Sequence, residues 1–209
     1  MRKKTMVMAA VLSLLLFAGT SFAAISVDLP GVGSYSGVMN AGSAQIGVGF
    51  DASGTLSGAQ GRSLGVSEEL YWQGARFVGN YIGGGAQGPV ALLLNQAAKD
   101  FTFTVGMVNA MAAPERLLIT VFDDLGRSEE FSHSLSAFSM TGGFEFYQTF
   151  TISSSTLASF RKVLFGPNTD ANGWSYGGMS YNAAPVPVPA AVWLLGSGLA
   201  GLVLVRRRQ

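Results

Sequence analysis

Few residues of this sequence have side chains suited to catalysis or metal binding, and their types limit the chemistry. The 209 residues include one histidine, His133, and no cysteine, which excludes thiol catalysis, disulfides and metal sites built from several histidines or cysteines. A Ser-His-Asp relay would depend on His133, which Ser132 and Ser134 flank, and no Gly-x-Ser-x-Gly motif accompanies it. The sequence therefore predicts a solvent-facing histidine and no catalytic residue.

Carboxylates are the remaining candidates for a metal site. Asp123 and Asp124 precede a Leu-Gly pair, which favours a turn between strands over a shared oxygen site for Ca²⁺. Asp170 lies in residues 168–173, which have the oxygen spacing of a calcium loop, but Met179 replaces the glutamate at the twelfth position. A turn is favoured there too, with Ca²⁺ as the alternative, and no other cofactor is expected.

The other acidic and glycine-rich segments give no clear sign of a site. Glu68-Glu69 and Glu129-Glu130 are adjacent pairs, which are typical of solvated surface. No sequence pattern brings them, or Glu145, to a second carboxylate across a cleft, as a glycosidase requires. Residues 83–88 are glycine-rich but lack the Lys-Ser/Thr of a phosphate-binding loop, which argues against nucleotide binding.

Aromatic residues are candidates for stacking on sugars. Such stacking requires that their rings face outward, whereas packing in the core is the default for most aromatic side chains. The residues considered are Tyr71, Trp72, Tyr81, Trp174, Tyr176 and Tyr181.

Any site must be positioned by the central residues 24–182, whose pattern indicates an all-β domain. Hydrophobic residues alternate over residues 44–50 and 101–107, and short apolar runs such as residues 117–122 are bounded by turn residues. This pattern predicts an antiparallel β-sandwich or jelly-roll-like domain. Residues 67–77 and 90–98 are ambiguous, with a helix as the alternative to a strand.

The N-terminus has the pattern of a secretory signal peptide, residues 1–23. Arg2, Lys3 and Lys4 precede an apolar run over residues 6–18, and a small-x-small site predicts cleavage between Ala23 and Ala24. A short core helix or a membrane anchor is the alternative, but the run is short for a bilayer. Signal peptidase and Sec-type export machinery are therefore expected partners.

The C-terminus predicts a single transmembrane helix over residues 190–205. Three arginines follow it directly and would place the basic tail, residues 206–209, in the cytoplasm and the domain outside. Sixteen residues at 1.5 Å each span about 24 Å, which suffices with the flanking proline and snorkelling arginines. A buried C-terminal helix of the domain is the alternative.

Residues 185–208 resemble a PEP-CTERM sorting signal. The matching features are a Pro-x-Pro motif (Pro187, Val188 and Pro189, in the linker 183–189), the apolar helix, and the basic cluster Arg206, Arg207 and Arg208. Val188 stands where the family name has glutamate. The resemblance implies export from a bacterial cell and processing by exosortase, the family's membrane-embedded partner, near the proline motif. It further implies a transient inner-membrane anchor, then release to the cell surface or extracellular space, and a role beside exopolysaccharide in biofilm. A permanent single-pass anchor is the alternative.

The central residues are loosely similar to the sandwich domains that often precede such tails. The similar segments are residues 119–124, 157–165 and 174–182. Many of those domains have Asp-Asp where this chain has Gly177-Gly178. Any ion or ligand contact that those acids make in the similar domains is therefore not expected in this chain.

Charge is divided unevenly along the chain. The whole sequence has 13 Lys and Arg against 12 Asp and Glu. Six basic residues lie in the two terminal segments, and subtracting these six from 13 leaves seven against 12, a balance of −5. An acidic domain argues against a nucleic-acid partner, which requires a basic face.

Three functional hypotheses follow. The first is a non-enzymatic, exported envelope or matrix protein, which a closed sandwich without surface features would favour. The second is a secreted polysaccharide hydrolase, which two carboxylates about 5–10 Å apart in a deep cleft would favour. The third is a lectin-like carbohydrate-binding module, which a shallow aromatic groove would favour.

Overall fold

The computed structural model describes residues 23–58, 64–69, 75–79, 89–108, 116–134, 145–166 and 174–184. These residues form strands joined by turns, and every pair of neighbouring strands among them is antiparallel. This confirms the all-β prediction. No helix that could span a membrane occurs within those ranges. Outside them lie the predicted signal peptide up to residue 22, the Pro-x-Pro motif, the predicted transmembrane segment 190–205 and the arginine cluster.

Twelve strands are formed by the described residues. Of the two segments for which a helix was the alternative, residues 90–98 lie in a strand, and the described parts of the other, residues 67–69 and 75–77, lie in two paired strands. The strands are β1 (Ile25–Ser26), β2 (Gly33–Tyr35), β3 (Met39–Ala41), β4 (Ala44–Gly47), β5 (Leu64–Glu69), β6 (Ala75–Gly79), β7 (Val90–Val108), β8 (Arg116–Phe122), β9 (Ser128–Ser134), β10 (Glu145–Ser153), β11 (Phe160–Phe165) and β12 (Trp174–Ala183).

Strand β7 is 19 residues long and lies in the middle of a continuous 12-stranded sheet, whose two halves we call the first and the second sheet. Its first part, residues 90–94, lies between β4 and β11, and its second part, residues 98–108, lies between β12 and β10. The pairing register shifts near residue 98, and such irregularities allow a strand to bend. The first sheet continues from β4 to β3 and from β11 to β8 and β9; the second continues from β12 to β6, β5 and β2.

Aromatic rings from both sheets meet in one core. Phe165 of the first sheet stacks on Tyr176 of the second, with ring centroids 4.1 Å apart and planes 21° apart. Phe103 of β7 contacts the same Phe165 ring edge-on at 5.0 Å. All three side chains are buried. The two sheets therefore form the layers of a β-sandwich.

Candidate functional site

The first sheet has an outer face that points away from this core. In β8, Leu117, Ile119 and Val121 are buried, and the residues between them are half-buried on the opposite face. The strand registers extend this outer face across the sheet in cross-strand rows. Two of these rows are Leu93–Lys162–Phe122–Ser128 and Ala91–Leu164–Thr120–Glu130.

A hairpin of residues 48–57 directly follows β4 and lies against the outer face. Val48 N donates to the Ser57 carbonyl oxygen at 3.0 Å, and Ser57 N donates to the Gly49 carbonyl oxygen at 2.8 Å. The hairpin lies so close to Gly47 that a Cβ atom there would collide with the Ser57 carbonyl oxygen. A glycine at position 47 is therefore what allows the hairpin to pack here.

Asp51 fixes the turn of this hairpin. Its Oδ1 atom accepts hydrogen bonds from Ser53 Oγ at 2.6 Å and from the backbone N–H groups of Ser53 and Thr55, both at 2.9 Å. Hydrogen bonds hold the pKa of Asp51 below its ordinary value. The largest contribution comes from the Ser53 hydroxyl and the next from Thr55 N–H. The carboxylate is thus engaged within its own turn.

The ring of Phe50 connects the hairpin to the sheet. It meets the ring of Phe122 edge to face, with centroids 6.2 Å apart and planes 70° apart. The Nζ atom of Lys162, on the neighbouring strand β11, lies 5.4 Å from the Phe50 ring centroid, which is a cation–π distance. The ring is therefore held by contacts from β8 and β11 and stays half-buried.

An open cleft of about 450 Å³ lies beside this ring. Its volume falls in the range of small-molecule sites, about 300–1,000 Å³. Its described walls combine apolar side chains with one hydroxyl and glycine backbone. None of these described lining residues has a carboxylate or an imidazole. The lining residues are Val48, Gly49, Phe50, Ser57, Gly58, Pro89 and Leu164.

The acids proposed for a Ca²⁺ site form the expected turn. Asp123 is buried, and its carboxylate accepts hydrogen bonds from Leu125 N at 2.9 Å, Arg127 N at 2.9 Å and Arg127 Nε at 2.6 Å. Burial tends to raise the pKa of Asp123, but the hydrogen bonds from Arg127 and Leu125 lower it below its ordinary value. Asp124 is exposed, 3.9 Å from Arg161 Nη1. No group of three or more His, Cys, Asp or Glu that could hold a metal occurs among the described residues, and Asp170 lies outside them.

His133 is half-buried, so the prediction of a solvent-facing histidine is wrong. It follows Phe131 by two residues on β9 and therefore points to the same side of the strand, toward the core. Its ring lies 5.0 Å from that of Phe150, and its Nε2 atom is buried without a hydrogen-bond partner among the described residues. No carboxylate or serine completes a catalytic relay there, as far as the described residues go.

Glu129 also differs from the expected solvated acid. Its carboxylate accepts hydrogen bonds from the hydroxyls of Ser154 at 2.5 Å, Ser155 at 2.8 Å and Thr156 at 2.8 Å, and from Thr156 N–H at 3.1 Å. The hydrogen bond from Ser154 outweighs the effect of burial and, with those from Thr156 and Ser155, lowers the pKa of Glu129 to about 2. We call Ser154, Ser155 and Thr156 the hydroxyl cradle.

Neither Tyr176 nor Tyr181, of the aromatic residues considered for sugar stacking, lines the cleft. Tyr176 and Tyr181 are buried in the core, each 2% exposed. Tyr71, Trp72 and Tyr81 lie outside the described residues, and Trp174 is the first residue of β12. The cleft instead uses Phe50, whose place at the end of an alternating stretch indicated a strand but no site.

Comparisons with known proteins give similarity at the level of structure only. No protein-family model matches the chain, and no curated protein matches it. A family 29 carbohydrate-binding module complexed with mannohexaose has a TM-score of 0.41 at 13% identity, over 78% of this chain and 92% of that chain. The cleaved adhesin domain of Lys-gingipain from Porphyromonas gingivalis has a TM-score of 0.43 at 14% identity, over 73% and 97%. A family 27 carbohydrate-binding module has a TM-score of 0.40 at 11% identity, over 58% and 80%. These values are too low for the function of any of these proteins to be transferred to this chain.

Proposed function

We propose that this chain is a non-enzymatic polysaccharide-binding protein and that the cleft beside Phe50 is its binding site. The observation that carries the proposal is the combination, in one open cleft, of an aromatic ring, apolar walls and a hydroxyl. A sugar ring has an apolar C–H face, which packs on aromatic and aliphatic groups, and hydroxyls at its edge, which need polar partners. Phe50 and Leu164 would supply the first contact and Ser57 the second.

The composition of the cleft supports binding rather than hydrolysis. A glycosidase needs two carboxyl groups about 5–10 Å apart across the scissile bond. The described residues that line this cleft have none. Asp51, the acid at the tip of the neighbouring hairpin, is engaged with Ser53 and Thr55.

Binding is tested on the full chain, purified in a mild detergent, by affinity electrophoresis in gels containing a neutral polysaccharide such as glucomannan. Phe50→Leu keeps an apolar side chain but removes the ring, and we expect about a fivefold to tenfold loss of affinity, since a stacked ring contributes roughly 1–1.5 kcal/mol. Val32→Ala is the matched control, because Val32 is 62% exposed and does not line the cleft. Equal retardation of the Phe50→Leu variant and the wild type would contradict the site.

We also propose that the terminal segments direct the protein through export and exosortase-type sorting to the cell surface or extracellular matrix. This proposal is supported by the sequence pattern alone: the basic and apolar N-terminus, the Pro187-Val188-Pro189 motif and the arginine cluster. Cell fractionation of two variants tests it. Deletion of Arg206–Arg208, or replacement of Pro187 and Pro189 by alanine, is expected to stop release, and fractionation like wild type would rule the sorting signal out.

A further inference from the structure

Lys162 is the positively charged residue that lies against the ring of the cleft. It occupies the outer face, two residues before Leu164 on β11, so the two side chains point the same way. Successive residues on one face of a strand are about 7 Å apart. The Nζ atom, 5.4 Å from the Phe50 centroid, therefore stands at the margin of the cleft.

The ammonium group of Lys162 lies at the hairpin tip, close to Gly54. A Cβ atom on Gly54 would come within 2.5 Å of Nζ, so the glycine at the hairpin tip, with φ of +77°, allows the ammonium to approach. Ion pairs among the described residues join Arg127 to Asp123 and Arg161 to Asp124, and none includes Lys162. Lys162 is half-buried and contacts the Phe50 ring, with no carboxylate of the described residues within ion-pair distance.

We propose that the polysaccharide bound in the cleft is anionic and that Lys162 binds a carboxylate or sulfate group on it. This inference rests on the proposed function of the cleft. An anionic substituent on a sugar packed against Phe50 and Leu164 would reach Nζ at the edge of the ring. A charge-assisted hydrogen bond there is stronger than one between neutral groups.

The other charged groups of this face indicate where the anion lies. Glu130 is two strands from Leu164, since Leu164 pairs with Thr120 and Thr120 with Glu130, which places it about 10 Å away. Its negative charge would repel an anionic ligand. The anionic group is therefore expected at the Lys162 end of the cleft, which is one cross-strand row farther from Glu130.

The test compares an anionic with a neutral polysaccharide on the same full-length protein in detergent. Polygalacturonate supplies carboxylates, dextran sulfate supplies sulfates, and glucomannan is neutral. We expect Lys162→Gln to bind the preferred anionic chain about tenfold more weakly at 50 mM salt, a loss of about 1.4 kcal/mol. Glucomannan binding should weaken by no more than about twofold, because Lys162 also contacts the Phe50 ring. Lys162→Arg should retain most of the anionic binding, and Glu130→Gln should strengthen it slightly. In 1 M salt, where the screening length falls to about 3 Å, the effect should largely disappear.

A matched charge control separates a specific contact from general attraction. Lys99 lies at the bend of β7, donates to the Ser154 carbonyl oxygen at 3.3 Å and does not line the cleft. If Lys99→Gln weakens polygalacturonate binding as much as Lys162→Gln, the proposal for Lys162 fails. If Lys162→Gln leaves anionic binding unchanged while Phe50→Leu still reduces glucomannan binding, the anion preference is wrong and the binding site stands. If the wild type binds no polysaccharide at all, the proposed function itself fails.

Discussion

The Ser154 hydroxyl donates a 2.5 Å hydrogen bond to Oε2 of Glu129, and this contact joins the two sheets at one side of the sandwich. Glu129 belongs to β9, the last strand of the first sheet, and Ser154 directly follows β10, the last strand of the second. β9 and β10 do not pair with each other through their backbones. The hydroxyl cradle around Glu129 therefore supplies a polar connection between the two layers at this side.

Replacing Glu129 by glutamine should destabilise the domain. The amide cannot accept as many hydrogen bonds as the carboxylate, and the buried Ser154 would lose a charged acceptor. We expect the free energy of unfolding, from urea titration of the full chain, to fall by about 1–3 kcal/mol. Glu130→Gln is the control, because Glu130 is exposed and its removal should change stability by less than about 0.5 kcal/mol. Equal effects of the two variants would show that the cradle contributes nothing.

Stability should fall in acid partly through the same group. The pKa of Glu129 is about 2 in the folded protein and 4.5 as its ordinary value. A lowered pKa contributes stability above the unfolded value, and that contribution is lost as the pH falls from about 5 toward 2. Melting temperatures measured over this range should fall more steeply for the wild type than for Glu129→Gln. Parallel curves would mean that the carboxylate is not preferentially stabilised in the folded state.

Gly47→Ala should displace the hairpin that forms one wall of the cleft. The added methyl group would collide with the Ser57 carbonyl oxygen, and a backbone atom can move aside only if the hairpin shifts. We expect a loss of about 1–3 kcal/mol in stability, together with weaker glucomannan binding in affinity electrophoresis. Gly31→Ala is the control, since no atom lies within 4 Å of a Cβ there. Unchanged stability and binding in Gly47→Ala would contradict the packing described.

Phe165→Ala should be the most damaging of these substitutions. The ring contacts both Tyr176 and Phe103, so its loss leaves a cavity between the layers. Buried phenylalanines replaced by alanine typically cost about 3–5 kcal/mol. Leu125→Ala, at a side chain that is 80% exposed, should cost less than about 0.5 kcal/mol. A small effect of Phe165→Ala in urea titration would show that the sheets are not joined through this ring.

The sequence predicted the class of fold because its signals are local. The alternation over residues 101–107 lies within β7, and the apolar run 117–122 lies within β8. Residues 90–98 were ambiguous because residues 90–94, which have strands on both sides, are mostly buried, so their apolar side chains run continuously instead of alternating.

The candidate site could not be predicted because its contacts join distant parts of the chain. Phe50 and Lys162 meet through the packing of a hairpin on β11, and no spacing pattern relates positions so far apart. Glu129 was expected to be solvated because an adjacent acidic pair usually is, whereas the cradle that binds it lies about 25 residues later. His133 was misjudged because its serine neighbours suggested a polar surface, while its alternation with Phe131 placed it inward.

The position of β12 has a consequence for how the protein folds as it is made. This last described strand lies between β6 and β7 in the second sheet and also pairs with β1 near the opposite end of the described chain. Until residue 183 is available, β1, β6 and β7 each lack the strand that pairs with one of their edges. The second sheet therefore cannot be completed before then. Folding should therefore be slow, as in other proteins dominated by long-range pairing. A chain that passed through a narrow channel with its N-terminus first would therefore stay incompletely folded, and able to pass, until nearly all of the domain had gone through.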